Sequence, residues 1–480
     1  MLRRPGSSLS APLISLACVA SLSLAACTTE SQMGGPTTTP SASPSPTAPP
    51  VERAELTYGV FGVEAELEAY QVVVDDYNAR ATTVEVTLQS WATSEAMMRA
   101  IETGTADPDI YQVRRDQLSD VVDEGRNVPL FSLLEDRNLS YGDNYPLDTI
   151  EALSRGNDLQ CMPYGVSPTV MYLNTDLIDF DVMRLRGMPT PEDEMGGWDF
   201  EEFSAAAEFG THKRAKSRGL TIEPTLASIA PYLYSGGGSL FDDDVEPTSL
   251  DLSSGENQET LATLLALARN PLVTLTDTQL RKATPQEWFE RGRLAMLQGE
   301  RSLTPGLRKV PDLDFDVMPM PRVGRTATTG DVTGICIAPG EWVQRSADFL
   351  VHLVSAEGFE PVAEAGYTVP ANTSVARSVE FLQPGRQPEH AGAFNASVDA
   401  MELLPLATND PALQSAVGGL VEQLFSMTLP PDIEVATNLI DATSRTVLDP
   451  TYEPEDSELS DFTELPGSPE PAESSVPSTS

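Results

Sequence analysis

Strand-like and helix-like segments alternate from residue 56 to residue 113, which predicts an α/β fold with parallel strands joined by right-handed crossovers. Two further observations set its scale. Low-complexity segments rich in Thr, Ser and Pro flank a body of about 400 residues, enough for two domains of ordinary size. Further amphipathic stretches run through that body without a repeat of 20–50 residues.

In chain order, Leu56, Tyr58 and Val60 alternate and stop at Phe61-Gly62. Leu67, Tyr70, Val74 and Tyr77 then recur at spacings of three and four, predicting a helix over 64–80 with acids in its first turns. Val84, Val86 and Leu88 make a second strand ending at Ser90-Trp91. Ser94 can cap a helix through Ile101, and Asp109 to Val113 forms a third strand. Thr169 to Leu173 is strand-like, and Trp198-Asp199-Phe200 opens a helix to Phe209. Helices are expected over 256–268, 284–291 (Thr284 as cap, Pro285 at its first position), 344–355, 357–365, 411–426 and 433–448. Ligands of parallel sheets sit beyond the carboxyl ends of the strands, here Phe61-Gly62, Ser90-Trp91 and Arg114 to Asp116.

The N-terminus carries an address. Arg3 and Arg4 precede an apolar run that ends at Leu24-Ala25-Ala26-Cys27, too short and too rich in small residues to span a membrane. Residues 1–26 therefore read as a signal peptide. Leu-Ala-Ala-Cys resembles a lipobox, with Cys27 acylated; the alternative is an ordinary signal peptide with Cys27 a bystander. Residues 27–51 form a Pro-rich tether that could hold the body roughly 50–70 Å from the lipid, at about 3.1 Å per residue. Residues 451–480 read as a disordered acidic tail. The expected location is the extracytoplasmic face of the cell membrane.

The chain has 72 acidic against 30 basic residues, for a net charge of −42, which argues against nucleic acid and against adhesion to anionic lipid. Only Cys161 and Cys336 remain beyond the signal and lipobox. Outside the cytoplasm they suit a disulfide, the alternative being two separate buried thiols.

Signatures of catalysis are sparse. His212, His352 and His390 share no motif, and no metal-ligand spacing occurs. Tyr164 to Pro168 lacks the second Gly of a nucleophile elbow. Gly236 to Gly238 lacks the Lys-Ser or Lys-Thr of a phosphate loop, and Asp242 to Asp244 reads as a solvated turn. An enzyme is not expected, nor a cofactor or metal.

Eight segments in order carry a resemblance: Leu56 to Gly62, Asp107 to Ile110, Met162 to Leu177, Gly197 to Phe203, Ser235 to Gly237, Phe289 to Met296, Met318 to Pro321 and Gly366 to Ala371. Together they resemble the family 1 extracellular solute-binding proteins, the maltose-binding-protein-like carbohydrate receptors of ABC importers. The resemblance implies a two-lobed periplasmic-binding-protein-like α/β fold with a ligand cleft and a hinge crossed three times. The crossings fall near Cys161 to Tyr164, Cys336 to Pro339 and Tyr367 to Ala371. Lobe I would comprise 52–161 and 337–368, lobe II 162–336 and 369–450. It further implies a monomer that captures a sugar or oligosaccharide and delivers it to the transmembrane subunits of a permease. A non-sugar solute (a glycerophosphodiester or cationic osmolyte) and a secreted glycan-active enzyme are the alternatives.

Sugars pair apolar ring faces with hydroxyls, so the expected contacts mix aromatic and planar polar groups. They are Trp91, as stacking platform or as cap on the lobe's core, with Phe61 and Gly62 on the same sheet edge and Arg114 and Asp116 on the next. Ser167 comes from the hinge segment, and Gly236 and Gly237 allow close backbone approach. Arg301 stands where relatives carry a stacking Trp, and Asp331 is a hydroxyl acceptor. Tyr172, Asn174, Trp198, Trp288 and Trp342 are expected to be structural. Crossing segments run side by side in this family, which also brings Cys161 and Cys336 within bonding distance.

Overall fold

The computed structural model describes residues 53–452, apart from 140, 141, 143, 193–196 and 215. The signal, the tether with Cys27, and the tail beyond 452 lie outside the described residues.

Twelve strands are present among them: β1 (Ala54–Phe61), β2 (Val84–Trp91), β3 (Ile110–Arg114), β4 (Ser154–Arg155), β5 (Asp158–Leu159), β6 (Met162–Pro168), β7 (Val170–Asn174), β8 (Met296–Gly299), β9 (Phe315–Met318), β10 (Thr328–Ile337), β11 (Val369–Pro370) and β12 (Met401–Leu403). The larger sheet runs β2-β1-β3-β10-β6-β11, with β12 beside the start of β10. As expected, β1 pairs in parallel with β2 and with β3. The three crossing strands lie side by side, since β10 and β11 are both antiparallel to β6. A second sheet runs β8-β7-β9, antiparallel throughout. β4 and β5 form a small separate ribbon.

Helix α1 (Glu64–Arg80) covers the first sheet because its apolar stripe, Ala69, Tyr70, Val73 and Val74, is buried. Asn78 ties its last turn to β2, donating to Val86 O and accepting from Val86 N at 2.8 Å each. Tyr58 of β1 is wholly buried, its ring edge-on to Phe349 at 5.5 Å and Tyr70 at 6.3 Å. Such aromatic pairs contribute about 0.5–1.5 kcal/mol beyond their burial.

A second core gathers around Trp198, Phe203, Tyr232 and Phe241. Asp199 starts the helix Phe200–Phe209 with a capping box: its carboxylate accepts from Glu202 N at 2.9 Å, and Glu202 returns a contact to Asp199 N at 2.8 Å. Trp198 is fully buried and donates to Pro319 O at 2.9 Å, a packing role. Tyr172 and Asn174 are buried too, and Trp288 donates to Gln279 O at 3.2 Å.

Cys161 and Cys336 form a disulfide with Cα atoms 4.4 Å apart, closing a loop of 175 residues. It lies beside the Met162–Ile335 pair that joins β6 to β10.

Candidate functional site

The carboxyl ends of β1, β2 and β3 place Phe61, Trp91 and Arg114 along one edge. Phe61 and Trp91 are register partners, and Gly62 N donates to Trp91 O at 3.1 Å. Phe61 N also donates to Gln112 Oε1 at 3.4 Å. Phe61, Gly62 and Trp91 are partly buried. Trp91 packs against the first core and borders a shallow groove of about 700 Å³ with Gly62, Leu67 and Ser90. A side chain at Gly62 would meet the Glu66 carboxylate at 2.5 Å, so the glycine permits a close turn here. Burial pushes that Glu66 carboxyl up to about 7.

Arg114 meets both oxygens of Asp116 at 3.2 Å and reaches Asp331 at 3.5 Å; Arg115 meets Asp331 at 3.3 Å. Asp331, on β10, faces Ser167 of β6 in register. The structure therefore brings Arg114, Asp116, Asp331 and Ser167 to one place. Nearby Glu300 is pushed up to about 7, chiefly by burial and then by the charge of Asp331, with Arg114 opposing.

Beyond Glu300 opens a cavity of about 470 Å³ beside β8. Hydroxyls of Thr169, Ser228, Thr284 and Ser302 and the amides of Gln286 and Gln298 line it, with Leu297 and Leu303 as apolar floor. None of the expected contact residues lines this cavity. Its polar groups come from separate segments, so no local spacing announces them.

One expectation requires correction, and two glycines gain a local structural role. Arg301 is wholly buried, not in the cleft: its guanidinium lies 4.7 Å from the Phe381 ring and 4.9 Å from Phe394, and it donates to Phe381 O at 3.2 Å. Gly236 ends the helix Leu226–Gly236 and packs on the helix Gly255–Ala268; an added Cβ would sit 1.9 Å from Thr260 Oγ1. Gly237 caps that helix in the left-handed region, φ 98°. Backbone geometry explains both glycines without a ligand.

The other singled-out groups have local partners. His390 is paired with Asp316, and His352 stacks on Tyr77 with ring centroids 5.2 Å apart. Asp242 accepts from Thr248 N and Ser249 N, closing its turn. Among the described residues no group of His, Cys, Asp or Glu is arranged to hold a metal, and no helix is long and apolar enough to cross a membrane.

Two sheets and two cores, the smaller sheet contributing to both and following the larger through adjacent crossing strands with polar groups at the junction, define a two-lobed binding protein of the periplasmic type. The chain belongs to the bacterial extracellular solute-binding proteins, a family that matches residues 73–387, more than half of it. No curated protein sequence matches significantly. Among solved structures, an ABC substrate-binding protein from Listeria monocytogenes in complex with cycloalternan is similar at TM-score 0.67 and 19% identity, over 83% of this chain and 99% of that one. The GacH receptor of Streptomyces glaucescens, solved unliganded and with acarbose, is similar at 0.64 and 17%, over 84% and 100%. A maltose-binding periplasmic protein from Listeria monocytogenes, in complex with maltose, gives 0.64 and 15%, over 84% and 100%. At these identities the likeness is one of fold.

Proposed function

We propose that the chain is the substrate-binding lipoprotein of an ABC importer, capturing a sugar or oligosaccharide between its lobes and presenting it to a membrane permease. The observation that carries the reading is the cavity wall. Hydroxyl and amide groups over an apolar floor match the hydroxyls and ring faces of a saccharide. The saccharides named for the solved structures of the same fold support it. Lobe I (52–161 and 337–368) would contribute Phe61, Gly62, Trp91, Arg114 and Asp116; Ser167 and Asp331 would contribute from the crossing strands. Closure about those strands would bring both walls onto the ligand, since a ligand shifts the population toward the form it binds better. Cys27, acylated, would hold the body at the outer face of the membrane, and the receptor would act as a monomer.

The test is thermal-shift and calorimetric screening against neutral oligosaccharides, glycerophosphodiesters and quaternary amines. A bound sugar at a hundredfold excess over Kd stabilises by about 2.7 kcal/mol. Stabilisation by the other solutes alone overturns the sugar reading. Consumption of a glycan overturns the receptor reading.

A further inference from the structure

We infer that the cleft selects a saccharide bearing a protonated amine over its neutral or carboxylate counterpart, and that Glu300 reads the charge. The inference rests on the sugar-receptor reading and narrows its substrate class. Among the described residues Glu223 and Glu300 are the only ionisable ones lining the cavity; no described Lys, Arg or His does so. Neither carboxylate makes an ion pair among the described residues. Arg114, whose charge acts on Glu300, is already engaged with Asp116 and Asp331, and Arg115 with Asp331. The junction therefore carries Asp116, Asp331 and Glu300 against two arginines, with Glu223 beyond.

Two neutral groups point the same way. Gln298 donates its amide to Ser228 O at 3.2 Å, while its buried carbonyl Oε1 has no partner. Thr221 lines the cavity at 7% exposure, and its hydroxyl makes no hydrogen bond among the described residues. The Thr169 and Ser302 hydroxyls in the wall also make no hydrogen bond among the described residues, so the unmatched groups are two carboxylates, a carbonyl and three hydroxyls, a set still richer in acceptors than in donors. An ammonium group brings three donors and no acceptor, whereas a carboxylate ligand brings acceptors only. The raised Glu300 carboxyl is consistent: burial and Asp331 outweigh the charge of Arg114, leaving its charged form short of the counter-charge that such a ligand would supply.

The experiment is calorimetry at pH 8 with maltotriose, cellotriose and mannotriose. Each is used as the neutral sugar, as its 6-amino-6-deoxy derivative and as its 6-carboxylate. The expected result is at least tenfold tighter binding of an amine than of its neutral parent, and at least tenfold weaker binding of the carboxylate. Glu300→Gln should erase the amine preference, so that the amine and neutral forms of each sugar bind the variant within threefold of one another. Glu223→Gln, at the exposed rim, should reduce it in the same direction. Equal binding of amine and neutral forms, a carboxylate bound as tightly as its parent, or a preference that survives Glu300→Gln overturns the inference and leaves the receptor reading standing. If no saccharide in any form binds, both fall.

Discussion

Arg114 Nη2 stands 3.5 Å from Asp331 Oδ2, tying the end of β3 to its neighbour β10 in the larger sheet. Asp331 also holds Arg115 at 3.3 Å, so one carboxylate orients two guanidinium groups at the junction. All three side chains are partly solvated, and such pairs contribute only about 0–1 kcal/mol. Asp331→Asn should therefore change the unfolding free energy by less than about 1 kcal/mol. If Asp331 accepts a ligand hydroxyl, the same variant should weaken saccharide binding at least fivefold, read by calorimetry.

The Cys161–Cys336 bond closes a loop of 175 residues. Constraining so long a loop in the unfolded chain contributes about 2–5 kcal/mol. Unreduced, denatured protein beginning at Thr28 should show no free thiol. Reduction, or the double change Cys161→Ala and Cys336→Ala, should lower Tm while leaving ligand affinity within twofold.

Burial raises the carboxyls of Glu66 and Glu300 to about 7 and of Asp441 to about 6, and it also lifts Asp109 and Asp251. The unfolded chain gives up the protons of Glu66, Glu300 and Asp441 near pH 4, the folded chain only near pH 6–7. Stability therefore falls as pH rises through that window and levels off above it; below about pH 4 the penalty is absent. After allowance for the solvated cleft, about 1–2 kcal/mol per group is reasonable. Urea unfolding should give a lower free energy at pH 8 than at pH 5, and Glu66→Gln should flatten the difference although the net charge scarcely changes.

Arg301 is buried with its Nε and Nη1 unpartnered, and burial lowers its pKa to about 10. Replacing a buried charge with an apolar side chain of similar volume is often neutral or stabilising. Arg301→Met should hold or raise Tm and leave ligand binding unchanged. A loss of binding at unchanged Tm would restore this residue to the cleft.

Gly236 separates packing from recognition. Gly236→Ala drives a Cβ into Thr260, a residue 3% exposed, and should destabilise by about 1–3 kcal/mol. Folded variant should bind saccharide as the wild type does.

The strands and helices were legible where side chains repeat at short range. Leu67, Tyr70, Val74 and Tyr77 marked α1 at its observed limits, and Ile433 to Leu448 did the same for the last helix. Thr284 as cap with Pro285 behind it, and the helix opening at Trp198-Asp199-Phe200, are both present in the structure. Strand ends gave Arg114 and Asp116 their place, because a parallel sheet fixes where its carboxyl edge lies. The cavity was hidden for the opposite reason. Thr169, Thr221, Ser228, Gln298 and Glu300 are ordinary polar residues until folding gathers them. Arg301 misled because its partners, Phe381 and Phe394, follow some 80 residues later or more, and nothing beside it in sequence announces a buried guanidinium.

β6 and β7 are separated only by Thr169, so 162–174 serves both sheets. Along β7, Val170 and Tyr172 enter the first core while Met171 and Leu173 enter the second. Side chains alternate with a period of two, so a slip of one residue would exchange the two sets at once. The segment behaves as a ruler: substitutions can be absorbed on either side of it, whereas inserting or deleting one residue unseats both cores together. Length, more than identity, is what descent must preserve between Met162 and Asn174.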